Sequence, residues 1–126
     1  TTRRTIGASP RAMLLVGAGG AAGAVARWGV GEVIPPSTNG FPWATLMVNL
    51  VGCALIGVAA RRVAPAPDRW LLGVTGGVGG FTTYSTFAHE ARTLVAAGDG
   101  GLALAYVAVT VIGGVLAVEA GRAVAR

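Results

Sequence analysis

Residues 76–87, GGVGGFTTYSTF, set two glycine pairs ahead of hydroxyl residues interleaved with aromatic rings. A phosphate-cradling loop would need a lysine after the glycines, and this chain has none. In lipid the chemistry is different. Paired glycines weaken a helix, and an unwound stretch leaves carbonyls that only protein, water or an ion can satisfy. Carbonyls exposed at a helix break can hold a cation. Thr82, Thr83, Ser85 and Thr86 would add hydroxyl donors beside them. The competing reading is that the glycines only permit close packing and the hydroxyls bond back to their own helix. The residues alone leave both open.

Other polar groups fall in apolar surroundings. Asn49, in LMVNLVG, needs partners wherever it is buried; it could join helices or offer an amide donor to an anion. Thr45 lies one helical turn before it, and Glu90 one turn beyond Thr86. An acid within a membrane segment is a functional candidate by default. His89 has no second histidine or cysteine cluster and reads as a vestibule or interface residue. Tyr106 and Thr110 form a polar stripe that Gly114 continues without a side chain. Glu119 and Arg122 have the spacing of a solvated helical ion pair. GAGGAAG (17–23) lacks the preceding strand and later acid of a dinucleotide site, so Gly19 and Gly23 read as a helix-packing face.

These residues need helices to position them, and the composition supplies membrane helices. Only 12% of the 126 residues are charged, 53% are hydrophobic, and 21 are glycine. Ordinary soluble domains carry about 25% charged residues. Four apolar segments, about 12–33, 41–60, 70–97 and 102–124, can each cross a hydrocarbon core of roughly 30 Å, forming one domain. The first is too long for a signal-peptide core and reads as a span. With four spans, both termini share a side with the 61–69 loop. That side holds Arg3, Arg4, Arg11, Arg61, Arg62, Arg69, Arg122 and Arg126, against Arg27 and Arg92 toward the other. The positive-inside rule then predicts cytoplasmic termini, and it accounts for the basic charge without nucleic acid. Cys53 stands alone and has no internal disulfide partner.

The chain resembles the Fluc (CrcB) fluoride channels across almost its full length. The match rests on Gly79-Gly80-Phe81-Thr82-Thr83-Tyr84-Ser85-Thr86-Phe87 followed by Glu90, on GGAAGAVARW (19–28) with Arg27, and on ATLMVNLVG (44–52) with Thr45 and Asn49. The resemblance implies an all-α membrane protein of four transmembrane helices with a broken third helix, paired as an antiparallel, dual-topology-type dimer. It implies a multi-pass protein of a bacterial-type plasma (inner) membrane, surrounded by lipid, that exports cytoplasmic fluoride passively. Its pores would be lined by Thr45, Asn49, Tyr84, Ser85, Thr86, Phe87, Tyr106 and Thr110, with Arg27 and Glu90 in a vestibule. A structural sodium ion would be held by the backbone carbonyls of Gly79 and Thr82. By the same resemblance the protein is not an enzyme, and no cluster of base, nucleophile and oxyanion donors is visible in the sequence.

Two residues depart from that pattern. The family usually has phenylalanine where this chain has Tyr84, and often serine where it has Gly114. They motivate an alternative: a non-conducting or half-competent partner subunit of a heterodimeric channel. The arginine bias also favours a homologous partner of opposite orientation over a homodimer. A small four-span drug/proton exporter is a further alternative, but Glu32, at the far end of the first span, is that span's only acid.

Overall fold

The computed structural model describes residues 9–126, so Arg3 and Arg4 lie outside the described residues. Among these, every regular element is a helix. Helix α1 spans Pro10–Val33. The Ser9 hydroxyl accepts from the Ala12 amide at 3.1 Å, and Pro10 occupies the first turn, where no backbone donor is needed. Pro35 and Pro36 follow its end. Helix α2 spans Trp43–Arg62, and Arg61 and Arg62 complement the negative end of its dipole.

Next come a short α3 (Pro67–Arg69), a π-helical stretch Trp70–Val78, and a single turn α4 (Gly79–Phe81). In the wide stretch the Gly79 amide donates to the carbonyl of Val74, five residues back. Thr82 (φ −78°, ψ 160°) and Thr83 (φ −147°, ψ 122°) are extended, and α5 (Tyr84–Ala96) begins immediately after. The paired glycines at 76–77 and 79–80 were candidates for unwinding. Instead residues 76–81 remain helical, because α1 lies against their backbone and leaves them no room to uncoil. Gly98, at φ +86°, makes the turn into α6 (Gly100–Val124).

The helices pack as two parallel pairs. Along α1, Gly19 faces Leu72 and Gly23 faces Gly77 and Phe81; a Cβ on either glycine would collide with those backbones. The predicted packing face is therefore real. Along α6, Gly121 meets Ala54 and Val58 of α2, while Gly113 rests on Leu50. Both pairs run parallel, so Arg11, Arg61, Arg62, Arg69, Arg122 and Arg126 gather at one end, as expected.

Small residues face inward and large apolar ones outward: Leu14 is 74% and Leu104 71% exposed. Three helices, Pro10–Val33, Trp43–Arg62 and Gly100–Val124, are long and apolar enough to cross a membrane. The aromatic core lies toward the end opposite the arginines, where Phe41, Leu46, Leu94, Ala103 and Tyr106 cluster.

At the arginine-rich end, Arg11 Nη2 and Asp68 Oδ2 meet at 2.7 Å, tying the start of α1 to α3. Both side chains are exposed, and water competes for each. Asp68→Asn is therefore expected to melt with the parent; a clearly lower midpoint in detergent would show that the pair holds the two helices together. The Arg122–Glu119 pair, 3.0 Å apart, is likewise exposed.

Candidate functional site

The site is organised around the two extended threonines. Asn49 projects from α2 and treats the Thr83 peptide as a strand would. Its Oδ1 accepts from the Thr83 amide at 2.9 Å, and its Nδ2 donates to the Thr83 carbonyl at 3.0 Å. Of the two roles open to Asn49, the structure displays the helix-joining one, and one Nδ2 hydrogen remains for another acceptor. The Thr83 hydroxyl caps α5 by accepting from the Thr86 amide at 3.2 Å, and it also contacts the Thr86 hydroxyl at 3.0 Å. The Thr82 hydroxyl bonds back to the Val78 carbonyl at 3.0 Å.

These side-chain bonds redirect the backbone. The Thr83 amide would serve the Gly79 carbonyl in a continuous helix, and the Thr86 amide would serve that of Thr82. Both amides are taken by side chains, Asn49 and Thr83 respectively. Gly79 and Thr82, whose carbonyls were expected to hold a cation, thus each lose their regular donor. Oxygen ligands of this kind fit a hard cation such as sodium. Among the described residues there is no group of three or more His, Cys, Asp or Glu side chains that could hold a metal instead. Between these glycine and threonine carbonyls, Arg27 Nε donates to the Gly80 carbonyl at 3.3 Å.

Two hollows flank this junction. One, of about 150 Å³, is lined by Arg27, Gly31, Ala44, Thr45, Val48, Thr83 and Thr86. The other, of about 360 Å³, is lined by Asn49, Cys53, Ile56, Thr82, Thr83, Tyr84, Phe87, Thr110 and Val111. Ser85 lines neither and is exposed on the first turn of α5. Glu90 is half-buried, and the Thr45 hydroxyl donates to its Oε1 at 2.5 Å. Glu90 and Thr45 also line a third hollow under the 34–42 loop. The Thr110 hydroxyl donates to the Tyr106 carbonyl at 2.7 Å, so it must rotate before it can donate elsewhere.

Aromatic rings run through the core as a ladder. Trp43 and Phe41 have centroids 4.6 Å apart, Phe41 meets Tyr106 edge-on at 5.5 Å, Tyr106 meets Phe87 at 5.1 Å, and Phe87 meets Tyr84 at 6.2 Å. Tyr106 is 0% exposed, and its hydroxyl has no hydrogen-bond partner. Tyr84, at the far end of the ladder, is 81% exposed. Phe41 was not singled out from the sequence. Its amide is held by Asn39 Oδ1 at 3.0 Å, which turns a loop residue inward. The local signal for it was Asn39 just ahead of a phenylalanine in a proline-bounded loop.

A helix interrupted between two hollows, in a chain with three membrane-length helices, defines a small helical membrane protein. The family described as CrcB-like protein, Camphor Resistance (CrcB), matches residues 14–122, and the chain belongs to it. A curated relative from Chlorobaculum tepidum, named fluoride-specific ion channel FluC, is 43% identical over 118 residues, covering 90% of this chain and 94% of its own. One of the same name from Chlorobium phaeobacteroides (strain BS1) is 40% identical over 119 residues, covering 91% and 93%. From Streptomyces avermitilis, fluoride-specific ion channel FluC 2 is 46% identical over 101 residues, covering 76% of this chain and 63% of its own. The family is thus one of ion channels and not of enzymes.

Proposed function

We propose that this chain is a subunit of a fluoride-selective channel that lets cytoplasmic fluoride leave the cell passively. The observation that carries the reading is the Tyr106 hydroxyl, wholly buried and without a partner, at the centre of a ladder of aromatic rings. A buried donor is rarely left unmet, and a small anion or a water would meet it. The family and the names of its relatives make fluoride the anion.

Fluoride is small and strongly hydrated, so a pore must replace its water with donors. Ring edges carry partial positive charge and attract an anion without the grip of a full charge. Phe87 and Tyr84 supply such edges, while the spare Asn49 hydrogen and the Ser85, Thr86 and Thr110 hydroxyls supply hydrogen bonds. Binding that is adequate but not tight is what conduction requires. Arg27 and Thr45, beside Glu90, form the vestibule. The N-terminus of α5 adds a dipole favourable to an anion. A sodium ion at the Gly79 and Thr82 carbonyls would supply fixed positive charge at the opposing helix end. Asn49 and the Thr83 hydroxyl keep those carbonyls free of helical donors.

The pores lie, in this reading, at the interface of an antiparallel dimer in the plasma membrane, the termini facing the cytoplasm. The one-ended arginine set favours a homologous partner of opposite bias over a second copy. The test is fluoride efflux from liposomes holding this chain alone, with chloride as control, repeated with a candidate homologous partner. Fluoride efflux well above chloride efflux in either preparation is expected. Phe87→Ala is expected to lower it at least about tenfold by removing a ring edge from the path. Efflux by neither preparation, or efflux indifferent to Phe87→Ala, would overturn the reading.

A further inference from the structure

The end of the molecule away from the aromatic core carries charge that the proposed pore lining does not use. Arg61 and Arg62 close α2, and Arg69 closes α3; all are exposed. Asp68 is the only acid in the intervening loop, and it is engaged by Arg11. Among the described residues, Arg61, Arg62 and Arg69 have no carboxylate partner. Between them the chain turns tightly: the Val63 and Ala64 amides both donate to the Ala59 carbonyl, and the Ala66 amide to that of Val63. This turn brings Ala64 against Pro67, Trp70 and Leu71, which line an apolar cleft of about 510 Å³. The cleft is shallow and open on its outer side.

An apolar cleft lined by a tryptophan, its lining residues flanked in sequence by unpaired arginines, has a matching ligand in a membrane. Tryptophan sits well at the headgroup level, and juxtamembrane arginine clusters attract anionic lipid. We propose that this end of the chain holds one anionic phospholipid, its phosphate among Arg61, Arg62 and Arg69 and one acyl chain in the cleft beside Trp70. A free phosphate would meet the arginines but leave the cleft uncovered. A zwitterionic lipid would fill the cleft but place a choline against the cations. Only a lipid with net negative charge matches both halves.

The test needs no ion flux and so stands apart from the channel reading. The full chain in detergent is titrated with phosphatidylglycerol and with phosphatidylcholine of the same acyl chains. Bound lipid is counted by native mass spectrometry. Phosphatidylglycerol is expected to be retained at least about tenfold more tightly. Roughly 1 kcal/mol per juxtamembrane arginine corresponds to about fivefold each, so Arg61→Gln/Arg62→Gln/Arg69→Gln should erase that preference and leave phosphatidylcholine unchanged. Ala64→Phe fills the cleft and should weaken both lipids. If the triple variant does not fold, Arg69→Gln, at an exposed position, carries the comparison at about fivefold. Equal retention of the two lipids, a preference untouched by the arginine substitutions, or glycerol phosphate competing as well as the whole lipid would each overturn the proposal.

Discussion

Asn49→Leu is expected to lower the melting midpoint in detergent by several degrees and to reduce fluoride efflux at least about a hundredfold. Leucine keeps the branched outline of asparagine with somewhat bulkier ends, and Asn49 is only half-buried, so contact between α2 and the 82–83 segment is largely retained. What is lost is the reciprocal pair of bonds to the Thr83 amide and carbonyl, 2.9 and 3.0 Å long. Leaving a buried polar group unmet costs about 1–3 kcal/mol. Here the lower part of that range applies, because Asn49 and Thr83 are half-buried. Two such groups give about 2–3 kcal/mol, against total stabilities of roughly 5–15 kcal/mol. The extended conformation of Thr83 would no longer be held, and the Thr83 amide would be free to return to the Gly79 carbonyl as in a continuous helix. That return would occupy the Gly79 carbonyl proposed to face a cation and would close the hollow beside Phe87. Asn49→Asp separates the two bonds: it keeps the acceptor for the Thr83 amide but sets a carboxylate oxygen against the Thr83 carbonyl. It should be at least as damaging to efflux as leucine. If Asn49→Leu melts and conducts like the parent, Asn49 does not hold the break, and the account of the carbonyls fails with it.

The sequence made some parts of this arrangement readable because their signal is local. Gly19 and Gly23 are four apart on one helix, and that spacing defines a face whatever it meets. The proline-rich and arginine-rich connections bound the apolar segments without reference to their neighbours. The common end of the arginines follows from counting spans, and the parallel pairing of α1 with 67–81 and of α2 with α6 agrees with it. The site was less legible because it is built from residues distant in sequence. Nothing near Asn49 announces that its amide meets the Thr83 peptide, 34 positions on. Thr83 was therefore a spare hydroxyl in sequence terms, although its backbone and side chain together set the interruption. Gly76 and Gly77 show the reverse error. Two glycines in a row weaken an isolated helix, but here they lie in the wide helical stretch where the α1 backbone approaches, and packing overrides the propensity. Phe41 escaped notice because only a folded loop turns it onto Tyr106.

Gly23→Ala should be a severely damaging single methyl in the first helix, and Gly29→Ala the control that shows why. A Cβ on Gly23 would collide with the Gly77 carbonyl oxygen and lie 2.7 Å from the Phe81 amide nitrogen. Both obstacles are backbone, so no side chain can rotate away, and the two helices must move apart. Overpacking of this kind costs about 1–3 kcal/mol. The displacement also reaches the site, because Phe81 directly precedes Thr82, and Arg27, one helical turn after Gly23, holds the Gly80 carbonyl at 3.3 Å. Nothing lies within 4 Å of a Cβ on Gly29. There the alanine should raise helix stability by up to about 1 kcal/mol, the ordinary gain over glycine. Melting in detergent and fluoride efflux in liposomes, taken together, separate the cases. Gly23→Ala is expected to lose several degrees and most of its efflux, and Gly29→Ala to keep both. Equal behaviour of the two variants would mean that α1 is free to slide on residues 70–81, and that the close backbone contact does not set the position of the interruption.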